Sequence, residues 1–412
     1  LYTLLFVRAT RDKEASLLKK IALGVLIALL IFNLIGSQSS GGYLGIGVAF
    51  ILAIIVFNKQ LIKWLKPLLV VILIIAIVMG CTFNRWWPEI SGAVKSVLGI
   101  QTEEEVDETE KETNNGPGSH VPTIEYIETG SNTIKMSLNG EELVIAVQND
   151  GDAITGMNIS DGSGKVLDTT PIDGSAVYAI NDMRFYEYAT VALAYDGTNY
   201  FVQVKTGDVK INDYDWAWNF VSRDSEMYFY SAVTGGKLVK LNKVDTWGFK
   251  NNPGFGSGRG GIWAHSFPLL KDTIIIGTGA DTYCAVYPQH DYASKWGTGE
   301  TAAENLYLIV DKPHNMYLHA AIGTGCISLL ALVALYGIYL VQSIKLFWKR
   351  DLENDFISFA GAGTFLGVTG FLVAGLVDDS TVSVMPLFYT FLGLGIAINM
   401  IIKRRDAKAV AK

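Results

Sequence analysis

The chain has 412 residues, of which 50% are hydrophobic and 18% charged, whereas an average soluble domain carries about 25% charged residues. This composition, with its positive mean hydropathy, excludes a disordered chain and argues against an ordinary soluble enzyme. The 33 Lys and Arg residues against 40 Asp and Glu give a net charge of −7, which argues against nucleic-acid binding. Three scattered cysteines, at positions 81, 284 and 326, exclude a disulfide framework or a cysteine-based zinc site.

The apolar segments predict a polytopic membrane protein. The chain begins at Leu1 without a methionine, and residues 1–7 resemble the tail of an apolar segment, so we expect a fragment of a longer protein. Spanning a bilayer takes about 20 apolar residues. Segments near that length lie at about 20–36, 43–57, 67–83, 316–342, 356–377 and 382–402, and the second is short. The sequence therefore predicts six transmembrane helices.

Lys and Arg in the short connections predict the orientation, because cytoplasmic loops retain positive charge. When the six segments alternate, four basic clusters fall on one side: Arg8, Arg11, Lys13, Lys19 and Lys20; Lys59, Lys63 and Lys66; Lys345, Lys349 and Arg350; Lys403, Arg404 and Arg405. The polar region from about 84 to 311 and the connections at 36–42 and 378–381 then face outward. We predict a multi-pass plasma-membrane protein with a large extracytoplasmic loop.

The outer region divides into an acidic linker at 84–122, an all-β domain at 123–249 and an outer loop at 250–315, between membrane parts at 1–83 and 316–412. Short β-like runs alternate with turn signals such as Asn139-Gly140, which favours a β-sandwich. Tyr214, Trp216 and Trp218 could bind the faces of sugars. The alternative is that they fill or cover a β core, which the residues alone favour.

A glycine-rich stretch at 256–263 contains one basic residue, Arg259. Glycines let backbone N–H groups approach an anion, and a guanidinium can donate two hydrogen bonds to a phosphate at once. Taken alone, the stretch favours a turn with a solvated arginine.

His314 and Asn315 lie at the outer mouth of the fourth apolar segment. A histidine can be neutral near pH 7 and accept a proton from a hydroxyl, while Asn315 could orient substrate or cap the helix start. Taken alone, an interfacial histidine is the favoured interpretation. His319 would lie about 140° around a helix from His314, so we do not expect the two to act together.

Together these residues carry a resemblance to a known family. The motifs are Ser40-Gly41-Gly42, Arg259-x-x-x-Trp263, Gly277-x-Gly279, and His314-Asn315 with nine residues to Gly325. Their order resembles the O-antigen ligase and polymerase family of membrane glycosyltransferases, over roughly 37–83 and 255–402, with 123–249 as an insertion. Ser40 stands where many members have arginine, and Ser328 where the His-Asn motif usually ends in Gly, Thr or Tyr.

The resemblance implies a GT-C-like α-helical membrane protein with an inserted all-β extracytoplasmic domain. It implies transfer of a glycan from a polyprenyl-pyrophosphate carrier to a hydroxyl of a glycan, lipid or wall acceptor, with inversion and without a metal ion. Arg259 would hold the pyrophosphate and His314 would act as the base, so the two should converge on one outer cavity. Substrate contacts are expected from Asn315, Ser40, Gly41, Gly42, Trp263, Gly279, Asp378 and Asp379.

Several alternatives stay open at this point. Asp378 and Asp379 could raise the pKa of His314, contact sugar, or simply form an exposed acidic turn, which the residues alone favour. The shared motifs do not separate a ligase from a polymerase. A non-catalytic, membrane-anchored surface protein whose β domain binds glycan or a partner would explain the β region but not the Arg259 and His314 motifs. A transporter is disfavoured because the apolar segments contain few ionisable residues.

Overall fold

The structure is a computed structural model that forms two compact units. It describes residues 16–37, 39–57, 65–81, 116–172, 174–211, 214–231, 235–249, 252–256, 258–297, 302–348 and 355–411, with single positions 83, 87, 91, 350 and 352. The helical unit contains the described residues before 100, those at 248–286 and those from 311 onward. The β unit contains the described residues up to 247 and the segment 287–310.

The helical unit is built from apolar helices. Among the described residues, four helices are long and apolar enough to cross a membrane: α1, α7, α8 and α9. Two of the six predicted spans, α2 and α3, have 17 residues each, at the lower limit of about 17 for spanning a bilayer. The helices of this unit are α1 (Leu17–Gly36), α2 (Ser40–Val56), α3 (Leu65–Cys81), α4 (Arg259–Ser266), α5 (Tyr283–Val286), α6 (Met316–Thr324), α7 (Cys326–Phe347), α8 (Phe356–Ala374) and α9 (Met385–Val410).

The fourth predicted span, 316–342, is interrupted at Gly325, which separates α6 from α7. Gly325 has a φ of +102°, and a Cβ there would lie 2.5 Å from the Ile275 carbonyl oxygen. The Cys326 N–H donates to the Thr273 carbonyl at 2.9 Å, so the adjacent segment at 273–279 supplies the partners that the broken helix loses. The membrane-length helix therefore begins ten residues later than predicted, at Cys326.

Small residues bring α2 and α8 close together. A Cβ on Gly45 would lie 2.3 Å from the Gly370 carbonyl oxygen, and small residues are the usual means by which membrane helices approach closely. Elsewhere large apolar side chains stay exposed, among them Leu330 and Ile338 of α7 and Leu387 of α9. Exposed apolar surface of this kind indicates a lipid environment for these helices.

Two ion pairs lie at one end of α7, α8 and α9. Arg350 donates two hydrogen bonds of 2.8 Å to Asp406, and Arg405 pairs with Asp355, the cap of α8. The connection between α8 and α9 is at the opposite end of these helices. Lys63, Lys349 and the basic residues before position 16 lie outside the described residues, so the membrane orientation stays a prediction.

The β unit contains antiparallel sheets. One has four strands in the order β1-β2-β3-β4, a second has the order β13-β12-β11-β8-β7-β6-β5, and β9 pairs with β10. Asn139 and Gly140 both have positive φ at the β2–β3 turn, as the sequence predicted. The strands are β1 (Ile124–Gly130), β2 (Thr133–Leu138), β3 (Glu141–Asp150), β4 (Ala153–Asp161), β5 (Thr169–Pro171), β6 (Val177–Ile180), β7 (Thr190–Tyr195), β8 (Tyr200–Lys205), β9 (Lys210–Ile211), β10 (Tyr214–Asp215), β11 (Trp218–Arg223), β12 (Glu226–Ser231) and β13 (Lys237–Val239).

One hydrophobic core joins the two larger sheets, with Ile145 from the first and Phe220 from the second. Trp218 is fully buried in this core and Trp216 packs against it, so these two rings fill the core as the residues alone favoured. Tyr214 is exposed.

The boundaries of the β unit differ from the predicted domain at 123–249. Residues from the predicted linker belong to it, since the Gly118 N–H donates to the Tyr186 carbonyl at 2.8 Å. The predicted outer loop at 250–315 is divided, because Tyr292 and Leu306 are buried in the β core. Segment 287–310 thus belongs to the β unit, and residues 248–286 stay with the helices.

Candidate functional site

Arg259 is the first residue of α4 and keeps some of its hydrogen-bond donors unpaired among the described residues. Its Nη1 donates to the Gly256 carbonyl at 2.8 Å, while Nη2 lies 3.7 Å from Asp378 Oδ1, beyond hydrogen-bond length. Its Nε is buried and has no partner among the described residues. The side chain is 17% exposed, so a ligand that reached it would meet a largely desolvated guanidinium.

Trp263 fixes α4 beside His314. It follows Arg259 by four residues and so lies on the same face of the helix. Its buried Nε1 donates to the Pro313 carbonyl at 2.7 Å, and its ring packs edge-on against Phe249 at 5.3 Å between centroids. The indole N–H is therefore used by the protein, and Trp263 positions Arg259 relative to the residue that precedes His314.

His314 is paired with Asp379. Its backbone has a φ of +49°, a left-handed conformation that is uncommon outside glycine. Its Nδ1 lies 2.6 Å from Asp379 Oδ2, with the histidine side chain 41% exposed and the carboxylate 11% exposed. The hydrogen bond to Asp379 raises the pKa of His314 above its ordinary value, against the opposing effects of burial and of the Arg259 charge.

The pairing also assigns the two imidazole nitrogens. A proton on Nδ1 that is donated to Asp379 leaves the lone pair of Nε2 free, and the carboxylate sets the ring orientation. The second carboxylate oxygen of Asp379, Oδ1, is buried without a partner among the described residues. Asp379 thus raises the pKa of His314, one of the alternatives open from the sequence. It is not a residue of an exposed acidic turn, because its side chain is 11% exposed.

Asp378 is held at the start of α2. Ser39 caps this helix by accepting the Gly42 N–H at 2.9 Å, and its hydroxyl donates to Asp378 Oδ2 at 2.8 Å. A Cβ on Gly41 would lie 2.1 Å from that same oxygen, so only glycine leaves room for the carboxylate. The side chain of Ser40 lies outside the described residues. Ser39 escaped sequence analysis, although a serine just before an apolar helix is a recognisable cap signal.

Asn315 is the cap of α6, one of its two predicted roles. Its Oδ1 accepts the backbone N–H groups of Tyr317 and Leu318 at 3.0 and 2.9 Å. Its Nδ2 donates to the Leu376 carbonyl at 2.8 Å. Asn315 therefore fixes both the start of α6 and the chain that leads into Asp378 and Asp379.

Gly277 and Gly279 lie against the break between α6 and α7. A Cβ on Gly277 would lie 2.2 Å from the backbone of Gly323. Gly279 has a φ of +115° and its N–H donates to the Gly323 carbonyl at 3.0 Å. Close backbone approach therefore explains both glycines. Gly279 is predicted to contact substrate, and its N–H is already bonded within the protein.

Four charged residues from three separate segments form one charged cluster: Arg259, Asp378, Asp379 and His314. Arg259 adjoins Asp378, the next residue is Asp379, and Asp379 binds His314. Arg259 and His314 are thus linked through two adjacent carboxylates, and their convergence on one outer cavity stays a prediction. Within the described ranges, no group of three or more His, Cys, Asp or Glu side chains is placed to hold a metal ion.

A cavity of about 240 Å³ lies beside this cluster in the helical unit. It is bounded by α6, α7, the start of α9 and residues 280–281, and neither Arg259 nor His314 lines it. Its wall consists of Ala280, Asp281, Met316, Tyr317, His319, Ala320, Gly323, Thr324, Ser328, Leu329, Leu332, Tyr336, Ser380, Met385 and Tyr389.

No family model matches the chain, and no curated protein or solved structure is significantly similar to it.

Proposed function

We propose that the protein is a membrane glycosyltransferase of the O-antigen ligase and polymerase type. It transfers a glycan from a polyprenyl-pyrophosphate carrier to an acceptor hydroxyl on the outer side of the plasma membrane. The observation that carries this proposal is the charged cluster, in which a His314–Asp379 pair and an incompletely bonded Arg259 meet beside the ends of apolar helices. A structural ion-pair network would have left fewer donors and acceptors free.

His314 acts as the general base. Its Nε2 takes the proton from the acceptor hydroxyl, and Asp379 holds the ring in the required tautomer and stabilises the imidazolium that forms. The half-exposed histidine can be reached by an acceptor, whereas the carboxylate behind it is largely protected. Asp379 is thus a positioning residue that acts through His314.

Arg259 stabilises the leaving group. The acceptor oxygen forms a bond to the anomeric carbon as the bond from that carbon to the phosphate oxygen breaks, and the electron pair stays on the pyrophosphate. Arg259 donates to the oxygens on which charge develops, through Nη2, which lies 3.7 Å from Asp378 Oδ1. Because a separation of 3.7 Å from Asp378 exceeds hydrogen-bond length, that carboxylate balances the charge of Arg259 without occupying its donors. One displacement of this kind inverts the anomeric centre and needs no metal ion.

Replacement of the two residues in the full-length protein tests the proposal. In a strain that lacks the protein and is complemented with variants, His314→Ala and Arg259→Ala should both abolish the glycan product and cause lipid-linked glycan to accumulate, measured by mass spectrometry of lipid extracts. His120→Ala and Arg223→Ala, in the β unit, serve as matched controls and should retain product formation.

The outcomes separate the open alternatives. If His314→Ala alone retains activity, His314 is not the base and substrate positioning supplies most of the rate. If both variants in the charged cluster retain product at normal membrane levels, the protein is not this enzyme. The surface-anchor alternative, with a β domain that binds glycan or a partner, would then stand.

A further inference from the structure

The cavity beside the charged cluster is elongated along the helices. Ser328, Leu332 and Tyr336 line it from α7 at intervals of four residues, which is one face of a helix. Eight residues of helix span about 12 Å. Met385 and Tyr389, one turn apart on α9, form the facing wall. The cavity is therefore a groove that follows the helix axes.

The two ends of this groove differ in chemistry. At the end near the connection between α8 and α9, its wall includes Asp281, His319 and Ser380. The Nδ1 of His319 is buried there without a hydrogen-bond partner among the described residues. Farther along α7 and α9 the wall is formed by Leu332, Tyr336 and Tyr389. A molecule that satisfies both ends has a polar head and a hydrocarbon chain.

The charge of the wall restricts the head group. Among the described residues that line the groove, Asp281 is the one acidic side chain, and none is Lys or Arg. A phosphate head would meet a carboxylate without a compensating cation, which is unfavourable. An uncharged, hydroxyl-rich head can instead donate hydrogen bonds to Asp281 and contact the imidazole of His319.

The position of the polar end favours the acceptor over the donor. Ser380 directly follows Asp379, and Tyr317 comes three residues after His314, so the groove opens beside the proposed base. The pyrophosphate of the donor requires Arg259, which does not line the groove.

From these observations we infer that the groove binds the acceptor, and that the acceptor is a neutral glycolipid. Its sugar lies at Asp281, His319 and Ser380, and a hydrocarbon chain lies between α7 and α9. This inference rests on the proposed function and makes the enzyme a ligase to a lipid rather than a polymerase.

Lipid retention tests the groove without any activity measurement. The full chain is reconstituted in phosphatidylcholine nanodiscs that contain monogalactosyl diacylglycerol or, separately, phosphatidylglycerol, and the lipid that stays bound after transfer to detergent is quantified by mass spectrometry. Leu332→Trp fills the groove, whereas Leu330→Trp places the same ring on the exposed face of the same helix. We expect Leu332→Trp to lower retention of the glycolipid about tenfold, as the loss of 1.4 kcal/mol would, and Leu330→Trp to leave it unchanged.

Further variants protect the test against misfolding. Ser328→Phe narrows the groove one turn away and should also lower retention, and His319→Phe removes the polar partner of the sugar. Equal retention by the Leu332 and Leu330 variants, with Ser328→Phe also unaffected, overturns the inference. Preferential retention of phosphatidylglycerol overturns the neutral head group.

His314→Ala distinguishes this inference from the proposed function. It should abolish transfer and keep glycolipid bound, which supports both. If it transfers glycan while Leu332→Trp still loses the lipid, the proposed function fails and the groove remains a lipid site. If it abolishes transfer while neither groove variant affects retention, the proposed function survives and the inference fails.

Discussion

Two clusters of charge, one in each unit, are bonded very differently. In the β unit, Arg184 donates from Nε, Nη1 and Nη2 to Asp182, Glu141 and Asp161 at 2.9 to 3.2 Å. Asp161 also accepts three hydrogen bonds from Ser163 and Lys165, and these bonds with that of Arg184 hold its pKa well below the usual range. Every strong donor has an acceptor, which is the arrangement of a structural network.

The charged cluster of the helical unit is left incomplete. Arg259 makes one hydrogen bond to a backbone carbonyl and approaches Asp378 only to 3.7 Å. One nitrogen of Arg259 and one oxygen of Asp379 are buried without a partner among the described residues. Buried polar groups are normally bonded, as they are around Arg184, and the proposed function assigns the incompletely bonded cluster to a ligand.

The largest difference between the two clusters is expected when the arginine of each is replaced by alanine. Arg259→Ala should lower glycan transfer by at least about 100-fold, the order expected for loss of a donor to developing charge, with little change in thermal stability. Arg184→Ala should instead leave transfer unchanged and lower thermal stability, since its three carboxylate partners would lose their cation. The comparison fails if Arg184→Ala is the variant that loses transfer while its unfolding temperature is unchanged.

The pH dependence of transfer sharpens the role of Asp379. His314 accepts a proton only when neutral, and Asp379 raises its pKa, so activity should fall as the pH decreases through that raised value. Asp379→Asn removes the raising charge and should shift the acidic limb of kcat/KM to lower pH, while the maximum rate also falls. An acidic limb that does not move would show that another group controls it.

A smaller effect is expected from the glycine that admits Asp378. Gly41→Ala places a methyl group 2.1 Å from the Asp378 carboxylate, and overpacking of this kind costs about 1–3 kcal/mol. Gly47→Ala, on the same helix, meets nothing within 4 Å and is the matched control. Unfolding of the two purified variants should therefore differ, with Gly41→Ala the less stable; equal stability would mean that the carboxylate moves freely.

The smallest expected effect concerns Trp263. Trp263→Phe keeps most of the ring but leaves the Pro313 carbonyl without its donor, a loss of about 1 kcal/mol. Stability should fall slightly, while transfer falls more, because α4 is no longer held beside His314. Thermal unfolding and transfer assays on one preparation separate these effects. A fall in stability without a fall in transfer would assign Trp263 to packing alone.

Residues close together in the sequence were sufficient to predict part of the fold and of the candidate site. Runs of apolar residues identified the segments that form the helices, because burial in lipid depends mainly on composition. Asn139-Gly140 specified a turn, since both positions need a positive φ that these residues tolerate. Asn315 was recognised as a possible helix cap, and Arg259 and His314 were singled out by residue type and by resemblance to a family.

Two features of the fold were decided only by the tertiary structure, because they depend on contacts between segments that are distant in the chain. The hydropathy of 316–342 predicts one continuous helix. The break at Gly325 is not visible there, because the Ile275 carbonyl that packs against Gly325 lies about fifty residues away in the chain. Segment 287–310 is placed in the β unit by burial of Tyr292 and Leu306 against strands that precede it by tens of residues.

The same reason governs the candidate site. Asp379 could be a solvated turn residue or the partner of His314, and nothing near it in the sequence distinguishes the two. The sequence by itself determined the apolar helical segments, the turns and the residue types of the candidate site, because these depend on residues close in the chain. Folding decided the burial of Asp379, the groove between α7 and α9, and the donors of Arg259 that stay unpaired among the described residues. Each arises where separate segments exclude water from the same place.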